Sequence, residues 1–483
     1  MHPHVTPTMA LPDSTGLAAL AALAERGVEV RTVVHDSRLV AAGSLYACLR
    51  GEHFDGHAFA PEAVDAGAVA LLCDHPLDDV GDVAQIVVDD TRLRLGPIAA
   101  AVAGHPSRAL TTVGVTGTNG KTTTAAMVAA VFDAAGRRCG VVGTLHGERT
   151  TPEAPELQGM LRDFVDDGMR AAVLEVSSHA LAMHRVDGTE FDAVVFTNLG
   201  HDHLDLHGSQ EEYFRAKARL FDPAFSGLGV INTDDTYGRL LADTVASDRF
   251  RVVPYSVEEL SDVEVSSIAH SYTWRGRRVR VPMGGDFNVA NSLATLTVAV
   301  ELGIDTDIAV GGLAELAAVP GRFEVIDTDE TFRRDITVVV DYAHTPDGLA
   351  RLLEAARSVV RSTGSLVVVF GCGGDRDRAK RPAMGAEASR AADRVVVTSD
   401  NPRHEDPDSI ISDVLEGIEP ALRSKVVSFV DRREAIAYAI SEADAGDVVV
   451  IAGKGHERTQ EFDDRTVEFD DRTVARECLE APS

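Results

Sequence analysis

A glycine-rich stretch at residues 114–124 has the residue types and spacing of a phosphate-binding loop. It lies between an apolar, strand-like run (residues 110–115) and a helix-like run (residues 122–130). In that setting Gly117 and Gly120 let the backbone bend so that several N–H groups converge on one anion. The N-terminus of the following helix adds its partial positive charge. The stretch therefore predicts a nucleotide site.

Two side chains in this loop carry further chemistry. Lys121 can reach the outer phosphates of a nucleotide, and the hydroxyl of Thr122 can bind Mg²⁺. The strict pattern has a glycine where this chain has Val115, so the loop is a variant P-loop. A tight strand-to-helix turn without a ligand is the alternative, and the Gly-Lys-Thr sequence favours the nucleotide.

Polar residues follow two further strand-like runs, residues 171–174 and 193–196. In open α/β sheets, ligands bind beyond the carboxyl ends of the strands. Glu175 and His203 are therefore predicted to bind Mg²⁺ together with Thr122, because Mg²⁺ prefers oxygen and accepts an occasional imidazole.

A zinc site is the competing interpretation of this second region. His201, His203 and His207 are close in sequence and could bind zinc. No cysteine lies nearby and the P-loop is adjacent, so magnesium is favoured.

Four polar loops follow strand-like runs in the last third of the chain, after residues 340, 370, 398 and 452. One such loop could simply cap a helix, but four at one sheet edge favour a ligand face. Arg376, Arg403, Asp400 and Glu457 lie in these loops. Guanidinium groups bind carboxylates bidentately and Glu457 can hold a cation, so the ligand is predicted to carry carboxylates and an ammonium.

Composition limits the class of protein. A chain of 483 residues is too long for one core and predicts two to four domains. With 46 Lys plus Arg against 76 Asp plus Glu, the net charge of −30 disfavours nonspecific binding to nucleic acid or anionic membranes. Five scattered cysteines predict thiols in a reducing compartment. No run is long enough to span a membrane and no signal-peptide pattern precedes residue 12, so a cytoplasmic location is expected.

The pattern of elements predicts an α/β protein of three domains, with boundaries at 1–107, 108–324 and 325–483. Alternating strands and helices in the last two predict parallel sheets covered by helices. Residues 263–283 interrupt the alternation and predict an inserted β-hairpin. Residues 461–467 are repeated directly as residues 468–474, which suggests a terminal hairpin or a local duplication of no assigned function.

The chain resembles the Mur ligases, the ATP-dependent peptide synthetases of peptidoglycan assembly. The resemblance covers nearly the whole chain, and the full set of motifs in this order is more specific than any single one. The motifs are residues 36–38, 55–56, 114–124, 150–154, 175–181, 202–205, 213–217, 288–291, 320–323 and the four strand-end loops.

The resemblance implies a fold and a reaction. The three domains would be a small α/β domain that binds UDP, a central P-loop ATPase domain with a parallel sheet, and a C-terminal Rossmann-like domain that binds an amino acid. ATP would phosphorylate the D-Glu carboxylate of a UDP-muramyl-dipeptide, and the amine of meso-diaminopimelate would then attack the acyl phosphate. The expected partners are these small molecules, with no nucleic acid and no membrane, and the protein is expected to be a monomer.

The resemblance also implies roles for particular residues. Lys121, Glu175, His203 and Lys217 would be catalytic, with Lys217 carbamylated to N6-carboxylysine and joining Thr122, Glu175 and His203 around Mg²⁺. Without the resemblance, Lys217 would be interpreted as a lysine on a helix surface.

The resemblance implies ligand contacts for further residues, which fall into three groups by ligand. The ATP-side residues would be Gly117, Thr118, Asn119, Gly120, Lys121, Thr122, Thr123, Asn288, Arg322 and Asp341. The residues at the UDP-muramyl-dipeptide would be Ser37, Thr150, Thr151, Ser177 and Arg185. The diaminopimelate pocket would comprise Arg376, Asp400, Asn401, Arg403, Gly453 and Glu457. The chain departs from the family pattern at Met183, where some members have glutamine, and at Gly200.

Two alternatives stay open at this point. A ligase that adds lysine would share most motifs, but Arg403 can bind a second carboxylate that lysine lacks. A nucleotide-binding scaffold without catalysis would have no need to keep Lys121, Glu175, His203 and Lys217. ATP contacts on both sides of residue 324 also predict that the domains close during catalysis.

Overall fold

The computed structural model describes residues 16–51, 54–200, 202 and 204–480. Three sheet-based units follow one another along the chain, and each sheet is covered by helices. This confirms the predicted α/β class with three domains. Among the described residues, no helix combines the length and apolar character needed to cross a membrane.

The N-terminal unit is built on a four-stranded parallel sheet of order β1-β2-β3-β4. Its central strands are buried because their apolar side chains face helices or the rest of the unit. The elements are α1 Leu17–Glu25, β1 Thr32–Val34, β2 Ser44–Ala47, α2 Ala60–Asp65, β3 Ala68–Cys73, β4 Ala84–Val87 and α3 Thr91–Val102.

The central unit contains a six-stranded sheet, parallel throughout, of order β10-β9-β8-β5-β7-β6. The strands carrying the P-loop and Glu175 are neighbours in this sheet, which brings their carboxyl ends together. The elements are β5 Thr111–Thr116, α4 Lys121–Ala134, β6 Cys139–Val142, α5 Ala154–Asp166, β7 Ala171–Glu175, α6 Ser178–Ala182, β8 Ala193–Phe196, α7 Leu204–His207, α8 Gln210–Ala218, β9 Leu228–Asn232, α9 Thr236–Val245 and β10 Arg251–Tyr255.

A small antiparallel sheet and two helices complete the central unit. The predicted hairpin at 263–283 is a three-stranded sheet, with one strand more than expected, and its apolar face joins the main core. Helices α10 and α11 pack against α4, the helix that follows the P-loop. The elements are β11 Ser261–Val265, β12 His270–Trp274, β13 Arg277–Val281, α10 Phe287–Glu301 and α11 Thr306–Ala314.

The C-terminal unit has a six-stranded sheet of order β14-β15-β19-β16-β17-β18. The sheet is parallel except for β14, an antiparallel edge strand of two residues. The edge strands β14 and β18 were not predicted from the sequence. The elements are β14 Glu324–Val325, α12 Asp329–Arg334, β15 Thr337–Asp341, α13 Pro346–Val359, β16 Leu366–Phe370, α14 Lys380–Ala391, β17 Arg394–Thr398, α15 Pro407–Glu416, β18 Val426–Phe429, α16 Arg432–Ser441 and β19 Val448–Ala452.

The end of the chain forms a hairpin followed by a helix. Strands β20 Thr459–Glu461 and β21 Thr466–Glu468 pair antiparallel, and helix α17 spans Asp471–Glu480. We call the β20–β21 unit the terminal hairpin. The duplicated heptapeptide therefore contributes to a hairpin, as predicted, but its second copy continues into a helix. All five cysteines are free thiols, in agreement with the prediction.

Candidate active site at the domain junction

The P-loop joins β5 to α4 in a conformation that only glycine fits. Gly117 and Gly120 have φ angles of 153° and 85°. A Cβ atom at Gly117 would lie 1.8 Å from Oγ1 of Thr197, and one at Gly120 would lie 2.5 Å from Oδ1 of Asn291. Close approach of the backbone to neighbouring strands thus explains the glycines, and the loop has the shape predicted from the sequence.

Two lysines meet at one backbone carbonyl of this loop. Nζ of Lys121 donates to the carbonyl oxygens of Gly117 and Thr118, at 2.8 and 2.9 Å. Nζ of Lys217 donates to the same Gly117 oxygen at 2.9 Å, and Lys217 is buried beside the ring of Tyr213. No carboxylate of the described residues forms an ion pair with either lysine. Lys121 is therefore available to bind an anion.

The pKa values of both lysines are lowered. Burial lowers the pKa of Lys121. Burial, together with the charge of Lys121, lowers the pKa of Lys217 well below its ordinary value, while Asp202 acts in the opposite direction. Lys217 is thus inclined to be a neutral amine. It is not the surface lysine of the alternative interpretation.

Glu175 is a buried carboxylate at the carboxyl end of β7. It accepts hydrogen bonds from Oγ1 of Thr122 at 2.8 Å and from N of Thr144 at 2.9 Å. Within the described part of the chain it forms no ion pair. A buried carboxylate that accepts only neutral donors is a suitable ligand for a cation, so Thr122 and Glu175 fit the predicted magnesium site.

His203 and His201 lie outside the described residues. The predicted third ligand therefore has no structural counterpart to compare, and of the three histidines of the zinc alternative only His207 is described, 3.0 Å from Oγ of Ser178. The half-buried Asp202 between His201 and His203 is described, and its negative charge acts on both Lys121 and Lys217.

Residues on both sides of the junction near residue 324 lie beside the P-loop. Nη2 of Arg322 donates to Oγ1 of Thr122 at 3.2 Å, and its guanidinium lies 4.4 Å from the ring centre of Tyr342. Asp341 accepts hydrogen bonds from N of Phe323 and N of Ala343, and burial raises its pKa. Arg322 and Asp341 are therefore close to the nucleotide loop, as the resemblance implied.

Asn288 and Asn291, three residues apart on helix α10, occupy different positions relative to the cleft. It is fully buried, donates to the carbonyl of Gly284 and accepts from Asn291. Asn291 lines the cleft beside the P-loop, so Asn288 supports the nucleotide side from behind. The cleft is also lined by Tyr342, His344 and Arg351, which sequence reasoning did not single out.

The residues predicted to contact the muramyl substrate lie beside Glu175. Thr151 is buried, donates to the carbonyl of Glu175 and accepts from N of Ser177. Oγ of Ser177 caps helix α6 by accepting from N of Ala180. Thr150 Oγ1 lies 3.0 Å from Oγ1 of Thr144.

Arg185 and Ser37, which are also predicted to contact the muramyl substrate, lie at the edges of the region around Glu175. Arg185 pairs with Glu153, which also binds Arg92 of the N-terminal unit. Ser37 opens a short 3₁₀ helix in the N-terminal unit, and its neighbours Asp36 and Arg38 line a cleft shared with residues of the central unit. The residues predicted to contact the muramyl substrate therefore lie along the boundary between the N-terminal and central units.

Asn401 organises the loops at the edge of the C-terminal sheet. Its Nδ2 donates to Oε2 of Glu457 at 2.9 Å, and its Oδ1 accepts from Nζ of Lys454 at 2.9 Å. Lys454 is fully buried and also pairs with Glu457 at 2.9 Å. A Cβ atom at Gly453 would lie 2.7 Å from Oδ2 of Asp400. These residues form one connected pocket, in which Lys454 was not predicted.

Arg403 lies at the rim of this pocket in a left-handed conformation, with φ of 51°. Its Nη1 donates to the carbonyl of Gly374 at 2.9 Å, and its Nε lies 2.9 Å from a carboxylate oxygen of Glu461. Arg376 is exposed and forms no ion pair with any described residue. The pocket thus presents guanidinium groups beside carboxylates, which suits a ligand with charges of both signs.

A fully buried ion pair lies behind the pocket. Arg432 binds Asp471 with two hydrogen bonds of 2.7 Å, and both side chains are 0% exposed. Arg432 also donates to the carbonyls of Ser399 and Ala452, the last residues before the loops that carry Asp400 and Gly453. This pair therefore ties together two strand ends of the pocket. Its partners are distant in sequence, so no local pattern could have indicated it.

Comparison with known families agrees with this arrangement. The model of the Mur ligase middle domain matches residues 115–299, and that of the Mur ligase glutamate ligase domain matches residues 321–455. The model described as the Mur ligase family catalytic domain matches residues 29–103. A ligase of Streptomyces avermitilis is 42% identical over 99% of this chain and 97% of its own length. The chain belongs to the Mur ligase family.

Two relatives from different organisms bear the same specific name. The Streptomyces avermitilis protein is a UDP-N-acetylmuramoyl-L-alanyl-D-glutamate--2,6-diaminopimelate ligase, and so is a protein of Chlorobaculum tepidum that is 42% identical over 96% of both chains. A solved structure of a ligase with that name superimposes with a TM-score of 0.65 at 35% identity, covering 93% of this chain and 94% of the other. A folylpolyglutamate synthase of Mycobacterium tuberculosis, at 20% identity and a TM-score of 0.61, shares the fold.

Proposed function

We propose that this Mur ligase joins meso-2,6-diaminopimelate to UDP-N-acetylmuramoyl-L-alanyl-D-glutamate at the expense of ATP, in the synthesis of peptidoglycan precursors. The observation that carries the proposal is the position of Arg403. It lies at the rim of a pocket that also contains Asn401 and Glu457, on the sheet edge of the unit whose Asp341 shares a cleft with the P-loop.

The chemistry has two steps. The free D-Glu carboxylate attacks the γ-phosphorus of ATP, which forms an acyl phosphate and releases ADP. The amine of diaminopimelate then attacks the acyl carbon, which forms the amide and expels phosphate. Phosphoryl transfer between anions requires positioning and charge neutralisation above all. Lys121 and the backbone N–H groups from Gly117 to Thr123 provide both, with Arg322 and Asp341 on the opposite side of the cleft.

Mg²⁺ would supply charge neutralisation between the phosphates and the attacking carboxylate. Thr122 and Glu175 would hold it, since both offer oxygen atoms 2.8 Å apart at a buried position. His203 is assigned to the same ions on the resemblance alone.

Lys217 is proposed to carry a carbamate, as N6-carboxylysine. A neutral amine adds CO₂, and burial beside Lys121 lowers the pKa of Lys217 in the direction that this reaction needs. The addition releases one proton from the amine to solvent, and the product is an anion that offsets the charge of Lys121 and adds oxygen atoms next to the phosphate loop. Replacing Lys217 with alanine is expected to reduce kcat by about 10²-fold or more, as for the loss of other groups that stabilise transition-state charge.

Chemical rescue tests that role. Acetate or propionate should restore part of the activity of Lys217→Ala, because the small carboxylate can occupy the space of the carbamate. Lys217→Arg keeps the positive charge and cannot be carbamylated, so it is the matched control and should not be rescued. Equal rescue of both variants, or none of either, would contradict the carbamate.

Substrate recognition is divided among the units. Ser37 is assigned to the uridine end, and Thr150, Thr151, Ser177 and Arg185 to the muramyl-dipeptide. Arg376, Asp400, Asn401, Arg403, Gly453 and Glu457 are assigned to the amino acid. The boundaries 1–107, 108–324 and 325–483 remain our proposed division. We also propose a monomer that acts in the cytoplasm on small molecules, without nucleic acid or membrane partners.

A phosphate-release assay identifies the amino-acid substrate. Purified protein with ATP, Mg²⁺ and the UDP-muramyl-dipeptide should release phosphate when meso-diaminopimelate is added, and far less with L-lysine at the same concentration. Efficient turnover of lysine would keep the ligase reaction and refute the assignment of Arg403. No release with either amine would refute the proposed function.

A further inference from the structure

The terminal hairpin forms one wall of the amino-acid pocket. The backbone N of Arg403 donates to the carbonyl of Glu461 at 3.0 Å, and N of Glu461 donates to Oδ1 of Asn401 at 3.1 Å. One residue earlier, Nε2 of Gln460 donates to the carbonyl of Asp400 at 2.6 Å. The hairpin is therefore hydrogen-bonded to three residues of the loop that is proposed to select the amino acid.

The side chain of Glu461 pairs with the guanidinium that is assigned to the substrate. One carboxylate oxygen of Glu461 lies 2.9 Å from Nε of Arg403. The two side chains differ in exposure, at 45% for Glu461 and 23% for Arg403. Arg403 is also held by the carbonyl of Gly374, whereas Glu461 has no second ion-pair partner among the described residues. Glu461 is thus the partner that can move.

Resting on the function proposed above, we propose that Glu461 is a specificity-determining residue of the amino-acid pocket. Its carboxylate neutralises Arg403 in the empty pocket, and the distal carboxylate of the incoming diamino acid displaces it. The exchange replaces one carboxylate by another on the same guanidinium. No covalent bond changes and no proton needs to be transferred.

The physical consequence depends on the charge of the ligand's distal end. An amino acid with a distal carboxylate binds Arg403 but must first break an exposed ion pair, which is worth little. An amino acid with only a distal ammonium, such as L-lysine, leaves the pair intact and meets a neutralised guanidinium. Glu461 therefore weakens the binding of diaminopimelate slightly and shields lysine from repulsion by Arg403. Removing its charge should sharpen the selectivity of the pocket.

The duplicated heptapeptide provides a matched control. Glu468 is the first residue of the second copy as Glu461 is of the first, and it is exposed without an ion pair to any described residue. We would compare wild type, Glu461→Gln and Glu468→Gln in steady-state phosphate release, varying meso-diaminopimelate with the other substrates saturating. L-Lysine would be measured as alternative substrate and as competitive inhibitor.

Glu461→Gln is expected to lower KM for meso-diaminopimelate by roughly two- to fivefold with kcat unchanged, given the usual strength of exposed ion pairs. The KM and the inhibition constant for L-lysine should stay the same or rise. Glu468→Gln should match wild type in all of these constants. Glu461→Ala should act like Glu461→Gln, and thermal melts of both variants check that the fold is kept.

Three results would overturn the inference. An unchanged KM would mean that Glu461 does not compete for Arg403. A raised KM would mean that it positions Arg403 or binds the substrate directly. An equal fall in the constants for diaminopimelate and lysine would mean that the substitution has a general charge effect. If wild type itself released no phosphate with diaminopimelate, the proposed function would fail and this inference with it, which is distinct from an active wild type and an unaffected variant.

Discussion

Two identical heptapeptides, residues 461–467 and 468–474, adopt different structures in adjacent positions. The first copy contains the end of β20, the turn and the start of β21, while the second passes from β21 into helix α17. Equivalent residues therefore have unrelated surroundings. Local sequence is the same in both, so the difference must come from the elements against which each copy packs.

The second aspartate of each copy illustrates the point. Asp464 in the first copy is 71% exposed and pairs with its neighbour Arg465. Asp471 in the second copy is 0% exposed and pairs with the buried Arg432. One side chain is dispensable for packing, and the other neutralises a charge inside the C-terminal unit. The first copy faces the amino-acid pocket through Glu461, and the second holds that pocket from behind.

The largest effect is expected from Asp471→Asn against Asp464→Asn. Asp471→Asn leaves Arg432 as a buried charge without a counterion and should reduce the free energy of unfolding of the C-terminal unit by about 3–5 kcal/mol. Asp464→Asn should change it by less than about 0.5 kcal/mol. Urea denaturation of both variants measures the difference.

The same pair of variants should differ in kinetics, because Arg432 holds the carbonyls that precede Asp400 and Gly453. At a temperature where Asp471→Asn remains folded, its KM for the amino acid should rise, while that of Asp464→Asn should not. Similar stability for the two variants would refute the distinction between the copies.

A smaller effect is expected at the phenylalanines. Phe469 packs against the C-terminal core, whereas Phe462 lies beneath the guanidinium of Arg465, 4.9 Å from its ring centre. Both are half-buried, so truncation removes less than a full core side chain. Phe469→Ala should cost about 2 kcal/mol and Phe462→Ala less than about 1 kcal/mol. Thermal melts would show the order, and a reversed order would contradict the packing described.

The last comparison removes one copy, and deleting either copy produces the same chain. Gln460 pairs with Val467 and Thr459 with Glu468 across the terminal hairpin. Such partners lie about 4.5–5.5 Å apart at Cα, close to the 3.8 Å of a peptide link. Residues 460 and 468 are diagonal neighbours across this ladder, so joining them requires the ends of the two strands to shift.

We expect the remaining copy to take the helical role, because only that role restores the pair with Arg432. The deletion should then cost about 1–2 kcal/mol, from the few backbone hydrogen bonds of the hairpin. Loss of stability as large as that of Asp471→Asn would show that one copy cannot replace the other.

Much of the nucleotide loop could be predicted from the sequence, because its geometry is local. Gly117 and Gly120 require conformations that glycine adopts, and the strand and helix around them are encoded by nearby residues. The strand-end loops were located for the same reason, since buried strands such as Arg394–Thr398 are short runs of β-branched residues. The edge strands Glu324–Val325 and Val426–Phe429 were missed because their short or partly exposed sequences lack that pattern.

Several site residues could not be predicted, because their roles depend on distant partners. Asn291, and not Asn288, lines the nucleotide cleft, and Lys454 holds the amino-acid pocket through Asn401. Lys217 looks like a surface lysine in its own helix, and only the packing of that helix against the P-loop buries it.

The sequence by itself therefore determined the phosphate loop, the alternation of strands and helices, and the kinds of side chain that follow each strand. Only the tertiary structure decided which aspartate of two identical heptapeptides is buried, which carboxylate meets Arg403, and that burial lowers the pKa of Lys217. The physical reason is the separation along the chain of the residues that determine each property. The glycine turns and the strand and helix patterns depend on neighbours in sequence, whereas burial, pairing, charge and the conformation of each heptapeptide depend on groups that the fold brings from far away.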